Sequence, residues 1–283
     1  MNVGIGLPNS IPGVSPATIR AWAERADSGP FSSVGVVDRL NYPCHEPMTT
    51  LASVAPLTSR VRLATTVIIG PLRRTSVLAE QAATVHSVSG GRLVLGLAVG
   101  ARSDDYAIAG VPTSDRGERL SAQLVGLRST WDDRIGETTP AEAGPPLIVG
   151  GMSDRAFARA AHHADGYVHG GGPPRSFARA AERFRVAWED AGRPGEPQLW
   201  AQGYFALGDG DTTEQGRNYM LDYYGFTGPF AKRIAEGLLV TPQAVTQFLR
   251  GYSEAGCGEV VLFPAVAGVE QVKRLAEVVA DVG

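Results

Sequence analysis

The sequence is poor in the residues that mark several classes of protein. Only two of its 283 residues are cysteines, Cys44 and Cys257, and they lie too far apart in the chain to suggest a disulfide framework. No run of about 18 apolar residues occurs, so no transmembrane helix is predicted. The opening stretch MNVGIGLPNS has no basic region and no cleavage site, so no signal peptide is predicted. These absences predict a soluble protein of the reducing cytoplasm.

Charge is also scarce, and lysine most of all. Charged residues make up 19% of the chain and the net charge is −3, which leaves no basic field for nucleic acid or an anionic membrane. Lys232 and Lys273 are the only lysines, and the other basic residues are arginines. We interpret this preference as a bias of genomic composition. Hydrophobic residues make up 43%, an ordinary share for a folded protein.

What the chain does contain is a regular alternation of short apolar runs and amphipathic stretches. The apolar runs lie at 3–8, 32–38, 61–69, 92–100, 146–151, 165–171, 199–207 and 259–264. They are nearly continuous in apolar character, which is typical of parallel strands covered on both faces. The amphipathic stretches lie at 15–26, 77–88, 153–164 and 176–192. Two of them begin with helix start signals, at Ser15 and Ser153.

Eight such units in 283 residues average about 35 residues each, close to the length of a βα repeat. The sequence therefore predicts a single (β/α)8 TIM barrel domain over 1–283, with an open doubly wound sheet as the alternative. Residues 208–240 interrupt the rhythm before the last strand. We expect them to form an insertion that caps the active site, or else a seventh helix followed by an extra surface helix.

Glycine-rich turns follow several predicted strands, at the end of a barrel that carries active sites. The turn GGMSDR contains Gly150, Gly151, Met152 and Ser153 and opens a helix, so its backbone N–H groups are predicted to bind an anion. The alternative is a tight turn in which Ser153 caps the helix. Gly170 and Gly171, followed by a third glycine, form a second place where a ligand can approach the backbone, and Gly100 forms another after the fourth strand.

Polar side chains at the ends of the predicted strands are the candidates for chemistry. Asp38 ends the second strand, where its carboxylate either binds a ligand or pairs with Arg39. Arg39 stays charged and is predicted to stabilise a developing anion. His169 and His45 are the candidate acids or bases, although His45 also fits a packing role. No metal site is predicted, because adjacent histidines and the Cys44-His45-Glu46 run do not have ligand spacing.

The order of these motifs resembles the bacterial luciferase-like flavin oxidoreductases. The resemblance rests on the region 58–100, above all on LAEQAATVHSVSGGRLVLGL, and on the shorter motifs DR at 38–39, DDYAIAGVP, PLIVGG, ADGYVHGG, YYGFTGP and EVVLFP. It implies a (β/α)8 barrel whose top face holds a flavin or deazaflavin ring, with Thr66 on the third strand near the ring. It also implies a non-proline cis peptide at Val67–Ile68 or Ile68–Ile69.

Three positions depart from the family pattern. Arg39 stands where a histidine often follows the aspartate, Thr75 where many members have proline, and Ser121 and Gln123 near a usual glutamate. Because the histidine is missing, the analogy favours a monooxygenase that uses reduced FMN on a small organic substrate over an enzyme that uses coenzyme F420. A non-catalytic flavin-binding partner subunit is a further alternative. The resemblance also implies a homodimer, and a flavin reductase as the source of reduced flavin.

Overall fold

The computed structural model describes residues 1–132 and 144–281, and these form nine parallel strands. The strands are β1 (Asn2–Gly6), β2 (Ser33–Val36), β3 (Arg62–Thr65), β4 (Ile68–Ile69), β5 (Leu93–Ala98), β6 (Leu147–Gly150), β7 (Gly166–His169), β8 (Gln198–Phe205) and β9 (Glu259–Pro264). β1 pairs with both β2 and β9, and the ring closes where β3 and β4 pair with β5.

β3 and β4 occupy one position in this ring, since the third apolar run is interrupted between them. The sheet is therefore a closed parallel barrel of eight positions, which confirms the TIM barrel and excludes the open doubly wound sheet. The single domain over 1–283 stays a prediction. Residues 133–143 and 282–283 of that domain lie outside the described residues.

Helices follow the strands and surround the barrel. They are α1 (Pro16–Ser28), α2 (Pro47–Val54), α3 (Thr75–Val88), α4 (Ser103–Ala109), α5 (Arg116–Asp132), α6 (Asp154–His163), α7 (Pro174–Asp190), α8 (Gly210–Tyr223), α9 (Phe230–Glu236), α10 (Pro242–Glu254) and α11 (Glu270–Ala280). The hydroxyl groups of Ser15 and Ser153 accept hydrogen bonds from the N–H groups of Thr18 and Ala156, so both predicted helix starts are confirmed. No helix within the described ranges is long and apolar enough to cross a membrane.

Two apolar layers explain why the strands are apolar on both faces. The outer layer lies between barrel and helices and includes Trp22, Phe157 and Phe184. The inner layer fills the barrel, with Val94, Ile148, Val168, Trp200, Val261 and Phe263 among its members. Side chains alternate along each strand between these layers, so the parity of a residue decides whether it faces the interior.

A buried carboxylate closes the barrel at the amino ends of the strands. Glu259 accepts hydrogen bonds from the hydroxyl of Ser33 at 2.5 Å and from the guanidinium of Arg62 at 2.5 Å. The same guanidinium lies 4.8 Å from the centre of the Trp200 ring. This end is filled by side chains that satisfy one another, which leaves the opposite end for a ligand.

The segment 208–240 covers that opposite end. It forms α8, a short 3-10 turn at Gly225–Thr227 and α9. Its tyrosines pack with Ile11, Tyr42 and Tyr204 from the barrel, and the Tyr219 hydroxyl lies 2.7 Å from the hydroxyl of Ser10. We call this segment the aromatic cover. That it caps an active site stays a prediction.

Candidate functional site

The two predicted glycine corners lie side by side on the carboxyl rim of the barrel. Gly150 pairs with Val168 in the parallel ladder between β6 and β7. The corner at 150–153 therefore opens on the same rim as the corner at 170–172. Gly151 and Gly171 have φ angles of 149° and 100°, which L residues rarely adopt, so both chain reversals require glycine.

The first corner makes hydrogen bonds with two elements: its Ser153 caps α6, and the Tyr167 hydroxyl of β7 donates to the sulfur of Met152 at 3.3 Å. The Ser153 hydroxyl caps the helix, and Met152 is half exposed beside it. Asp154 follows in the first turn and pairs with Arg183. The helix start thus already holds one carboxylate near its positive end. Phosphate binding by Gly150, Gly151, Met152 and Ser153 stays a prediction.

The second corner remains open to a ligand. A Cβ atom built on Gly170 or Gly172 would meet nothing within 4 Å. The carbonyl of Gly170 accepts from the Gln202 amide at 3.3 Å, and the carbonyl of Gly172 accepts from the Tyr252 hydroxyl at 2.9 Å. These bonds hold the corner in place from two neighbouring elements.

Asp38 ends up in an ion pair, with a partner that the sequence did not indicate. Its carboxylate accepts two hydrogen bonds from the Arg73 guanidinium and one from the Ile69 N–H at 2.9 Å. The side chain is fully buried. The expected alternative of a pair with Arg39 is wrong, because Arg39 turns to another carboxylate. A direct contact between Asp38 and a cofactor stays a prediction.

Arg39 pairs with Asp105 and lies beneath the aromatic cover. Its Nε–H donates to Asp105 Oδ2 at 2.9 Å, and the other carboxylate oxygen accepts from the N–H groups of Leu40 and Asn41. The guanidinium carbon lies 5.4 Å from the centre of the Tyr223 ring and 5.7 Å from that of Phe226. The arrangement places a desolvated positive charge at the end of β2.

Several buried polar atoms have no hydrogen-bond partner among residues 1–132 and 144–281; near the carboxyl end Gln123 Oε1 is one of them, and three others come from the barrel strands or the loops that follow them. These three are Arg39 Nη2, Thr66 Oγ1 and Gln202 Oε1. Thr66 lies between β3 and β4, and the Thr66–Val67 peptide bond is cis. The resemblance implied a cis bond at Val67–Ile68 or Ile68–Ile69, so the observed bond lies one position earlier in the chain than the first of these. Buried polar atoms without partners are rare in folded proteins, so each of these atoms is a candidate contact for a polar ligand.

His169 faces the outer layer and not the barrel interior. Its ring makes edge contacts with Tyr167 and Phe177, and its Nδ1 accepts the N–H of Gly171 at 3.2 Å. Burial lowers the pKa of His169 to about 4, so the ring is neutral at physiological pH. The imidazole therefore supports the second glycine corner. Its predicted part in catalysis is not tested by this contact and stays a prediction.

His45 lies on the flank of the barrel. Its Nε2 is 2.8 Å from the carbonyl oxygen of Val14, and the ring borders a surface cavity with Pro16 and Ile19 of α1. The structure does not bring His45 together with Arg39 or Thr66 at the carboxyl end. This arrangement favours the packing alternative for His45, while a catalytic role stays a prediction.

Gly100 turns the chain after β5 towards Arg102. Its φ is 71°, and a Cβ atom there would lie 2.8 Å from Ile69 Cγ2. Arg102 pairs with Asp104 and lies 4.7 Å from the centre of the Phe226 ring. The loop after β5 therefore contacts the aromatic cover through Arg102 and Phe226. Contact between Gly100 and a cofactor stays a prediction.

The aromatic cover supplies protonated hydroxyl groups. The Tyr224 hydroxyl donates to that of Tyr204 at 3.0 Å, and Tyr42 donates to Asp222 at 2.6 Å. Burial raises the pKa of Tyr204, Tyr219 and Tyr223 above the usual range of a phenol. These side chains therefore act as neutral hydrogen-bond donors.

A cavity of about 410 Å³ lies between the second glycine corner, the aromatic cover and α10. Its size falls within the range of small-molecule sites. The lining residues share an apolar or small character with few exceptions; they are Gly170–Pro173, Gly203, Tyr204, Met220, Tyr224, Phe230, Arg233, Ile234, Gly237 and Phe248. Among the described residues, no three histidine, cysteine, aspartate or glutamate side chains come together as a metal site.

Sequence reasoning missed several of these residues. Gln202 and Tyr204 belong to the run WAQGYF, where Trp200 shows which parity faces the interior, so alternation was an available signal. Two positions that depart from the family pattern also have local roles. Gln123 donates to the carbonyl of Arg73, and Ser121 accepts from Arg159.

Comparison with known proteins identifies a family whose model matches most of this chain. The family model described as luciferase-like monooxygenase matches residues 1–256. An uncharacterised protein of Mycobacterium tuberculosis is 28% identical over 206 residues, which cover 60% of this chain and 71% of that protein.

Two solved structures have the same fold. An F420-dependent secondary alcohol dehydrogenase, in complex with an F420-acetone adduct, superposes with a TM-score of 0.82 at 16% identity, over all of both chains. The oxygenating constituent of 3,6-diketocamphane monooxygenase from Pseudomonas putida, in complex with FMN, gives 0.69 at 16% identity and covers 93% of this chain and 91% of that one. The family match and the barrel agree, and the chain belongs to the luciferase-like monooxygenase family.

Proposed function

We propose that the protein is a monooxygenase that binds reduced FMN at the carboxyl end of its barrel and acts on a small organic substrate. The observation that carries the proposal is the set of buried, unpartnered atoms Arg39 Nη2, Thr66 Oγ1 and Gln202 Oε1. They offer a charged donor, a hydroxyl and an acceptor at the end of a barrel where this class of fold holds its ligands.

These atoms fit the polar edge of a flavin-type ring. That edge carries carbonyl oxygens and one N–H, so it needs donors together with an acceptor. Thr66 and Gln202 supply both kinds, and the alternation along β8 places Gln202 on the inner face. The first corner, at 150–153, lies on the same rim and opens α6, so it gives the anionic tail a place beside the ring site.

The protein itself supplies a positive charge and keeps water away from that charge. The bound flavin provides the redox chemistry. Arg39 stabilises negative charge that develops near the end of β2, since its guanidinium stays charged and is almost fully buried. Tyr223 and Phe226 lie over this guanidinium and keep water from it. The neutral His169 holds the second corner in shape.

The proposal favours FMN over F420 because Arg39 replaces the histidine that the resemblance to the deazaflavin dehydrogenases requires. An arginine does not take the place of a histidine as a proton-transfer group. A separate flavin reductase would supply the reduced cofactor, and a homodimer is the assembly that we propose for the protein in solution.

The test is an anaerobic titration of the purified protein with FMN and F420, each oxidised and reduced, followed by exposure to oxygen. We expect reduced FMN to bind and its reoxidation rate to change. If reduced F420 alone binds, the cofactor assignment is overturned. If FMN binds with unchanged reoxidation, the chain is a flavin-binding subunit, and if no ring binds, the proposal fails.

Thr66→Val provides a readout that does not depend on turnover. The substitution removes an unpartnered buried hydroxyl with little change of shape, so the free energy of unfolding should stay the same or rise. Affinity for reduced FMN should fall about fivefold, the value of one hydrogen bond. Thr65→Val is the matched control, because the Thr65 hydroxyl bonds within the sheet at 2.9 Å to Gly96 O, and its loss should reduce stability.

A further inference from the structure

The cavity beside the second glycine corner contains an arginine without a partner. Arg233 of α9 lines the cavity. Three other arginines near the carboxyl end pair with a carboxylate; they are Arg39 with Asp105, Arg73 with Asp38, and Arg102 with Asp104. The Arg233 guanidinium has no ion pair or hydrogen bond within residues 1–132 and 144–281.

Apart from the hydroxyl groups of Tyr204 and Tyr224, the side chains of the rest of the wall are apolar. Met220, Ile234 and Phe248 face the same space, and Phe230 is more than half exposed at its edge. An apolar pocket with few polar groups is the usual form of a site for a small organic molecule, and those polar groups fix the orientation of the ligand.

The two polar ends of the cavity differ in depth. Arg233 is exposed at the solvent side, whereas Tyr204 stands at the inner end on β8 and packs against Phe263 in the barrel interior. A ligand that satisfies both ends has an anionic group outwards and an uncharged portion inwards. The reverse orientation would desolvate an anion among apolar side chains, which is costly.

We propose that this cavity is the substrate site and that the substrate is a small aromatic or alicyclic carboxylic acid. The carboxylate binds Arg233, and the apolar body lies against Met220, Ile234 and Phe248. The opposite end of the substrate reaches Tyr204, next to the place of the flavin ring. This inference rests on the proposed function for its assignment of a substrate.

The experiment measures binding to flavin-free protein by fluorine NMR, with 3-(4-fluorophenyl)propionate and its neutral amide as probes. The acid should bind more tightly than the amide. Arg233→Gln should weaken the acid by about threefold to fivefold and the amide by less than about twofold, as expected for one exposed ion pair. Lys232→Gln is the matched control, since it removes an exposed cation from the same helix outside the cavity.

A second variant tests the location independently of charge. Gly170 lines the cavity, its φ is not positive, and a Cβ there meets no atom, so Gly170→Leu can be introduced without strain. The leucine should fill the space and weaken the acid and the amide alike, while the melting temperature stays the same.

The inference is overturned if the acid and the amide bind with equal affinity, or if the acid does not bind with or without FMN. It is also overturned if Arg233→Gln leaves the affinity for the acid unchanged, or if Gly170→Leu leaves the affinity for both probes unchanged. A loss of FMN affinity in Arg233→Gln without loss of acid affinity would assign the arginine to the cofactor and also overturn it. If the acid binds but no flavin or deazaflavin does, the proposed function fails and the acid site stands.

Discussion

Arg39 and Asp105 form a buried ion pair at 2.9 Å, although they are 66 positions apart in the chain. The pair joins the loop after β2 to α4. Both side chains are almost completely shielded from solvent, so neither charge can be left alone without a large cost.

Asp105→Asn should therefore destabilise the protein strongly. The amide oxygen can still accept the N–H groups of Leu40 and Asn41, but the Arg39 charge loses its counterion, at a cost of about 3 kcal/mol in the free energy of unfolding. Urea denaturation measures this loss. Asp104→Asn is the control, because its carboxylate is one-third exposed, and it should cost no more than about 1 kcal/mol. Equal losses in the two variants would contradict the burial argument.

The stability of the protein should fall on acidification partly through His169. Its pKa is about 4 in the folded chain and about 6.5 in an unfolded one, so the unfolded state takes up the proton first. The contribution is fully present above pH 6.5 and is lost as the pH falls towards 4, by about 3 kcal/mol.

His169→Asn should remove this loss while keeping an acceptor for the Gly171 N–H. Urea midpoints at pH 7 and pH 4.5 should differ less in this variant than in the wild type. Turnover that survives in His169→Asn would contradict the predicted catalytic role of the imidazole.

Gly100→Ala should be more harmful than Gly110→Ala. Both glycines have positive φ angles, 71° and 65°, so alanine costs about 1 kcal/mol at either site. At Gly100 the new Cβ also lies 2.8 Å from Ile69 Cγ2, which adds about 1–3 kcal/mol of overpacking. At Gly110 it meets nothing. Thermal unfolding should show the difference, and similar losses would mean that Ile69 moves aside freely.

Phe226→Leu should weaken the attachment of the aromatic cover. The ring lies against the guanidinium groups of Arg39 and Arg102, and a cation over an aromatic face contributes about 0.5–1 kcal/mol each. We expect a stability loss of about 1 kcal/mol and faster proteolysis within the cover. Leu221→Ala, which changes a partly exposed residue of α8, should leave the protease sensitivity unaltered.

The barrel was predictable because its signal is local. A strand that is buried on both faces is apolar at every position, so it can be recognised without knowing which way each side chain points. All eight predicted apolar runs accordingly form strands of the barrel. Only the run at 61–69 divides, at Thr66 and Val67. The helix starts at Ser15 and Ser153 were equally accessible, since a cap needs only its own first turn.

The site was less predictable because its contacts join distant segments. The sequence placed Asp38 and Arg39 at the end of β2 but gave no hint that they bind Arg73 and Asp105. His169 shows a second limit: at the end of a strand, a shift of one position exchanges the inner for the outer face. Val168 lies inside the barrel and His169 outside it.

The aromatic cover is fastened unevenly around the rim. Tyr219 anchors it near β1, Tyr42 near β2 and Arg102 after β5, whereas Met152 and Gly170, after β6 and β7, are exposed. Among the described residues, the rim above the paired glycine corners is therefore the part that these contacts leave uncovered. Under the proposed function, a flat ring would enter on this side with its uncharged edge first and its anionic tail last, so its orientation would be set before it reached the inner wall.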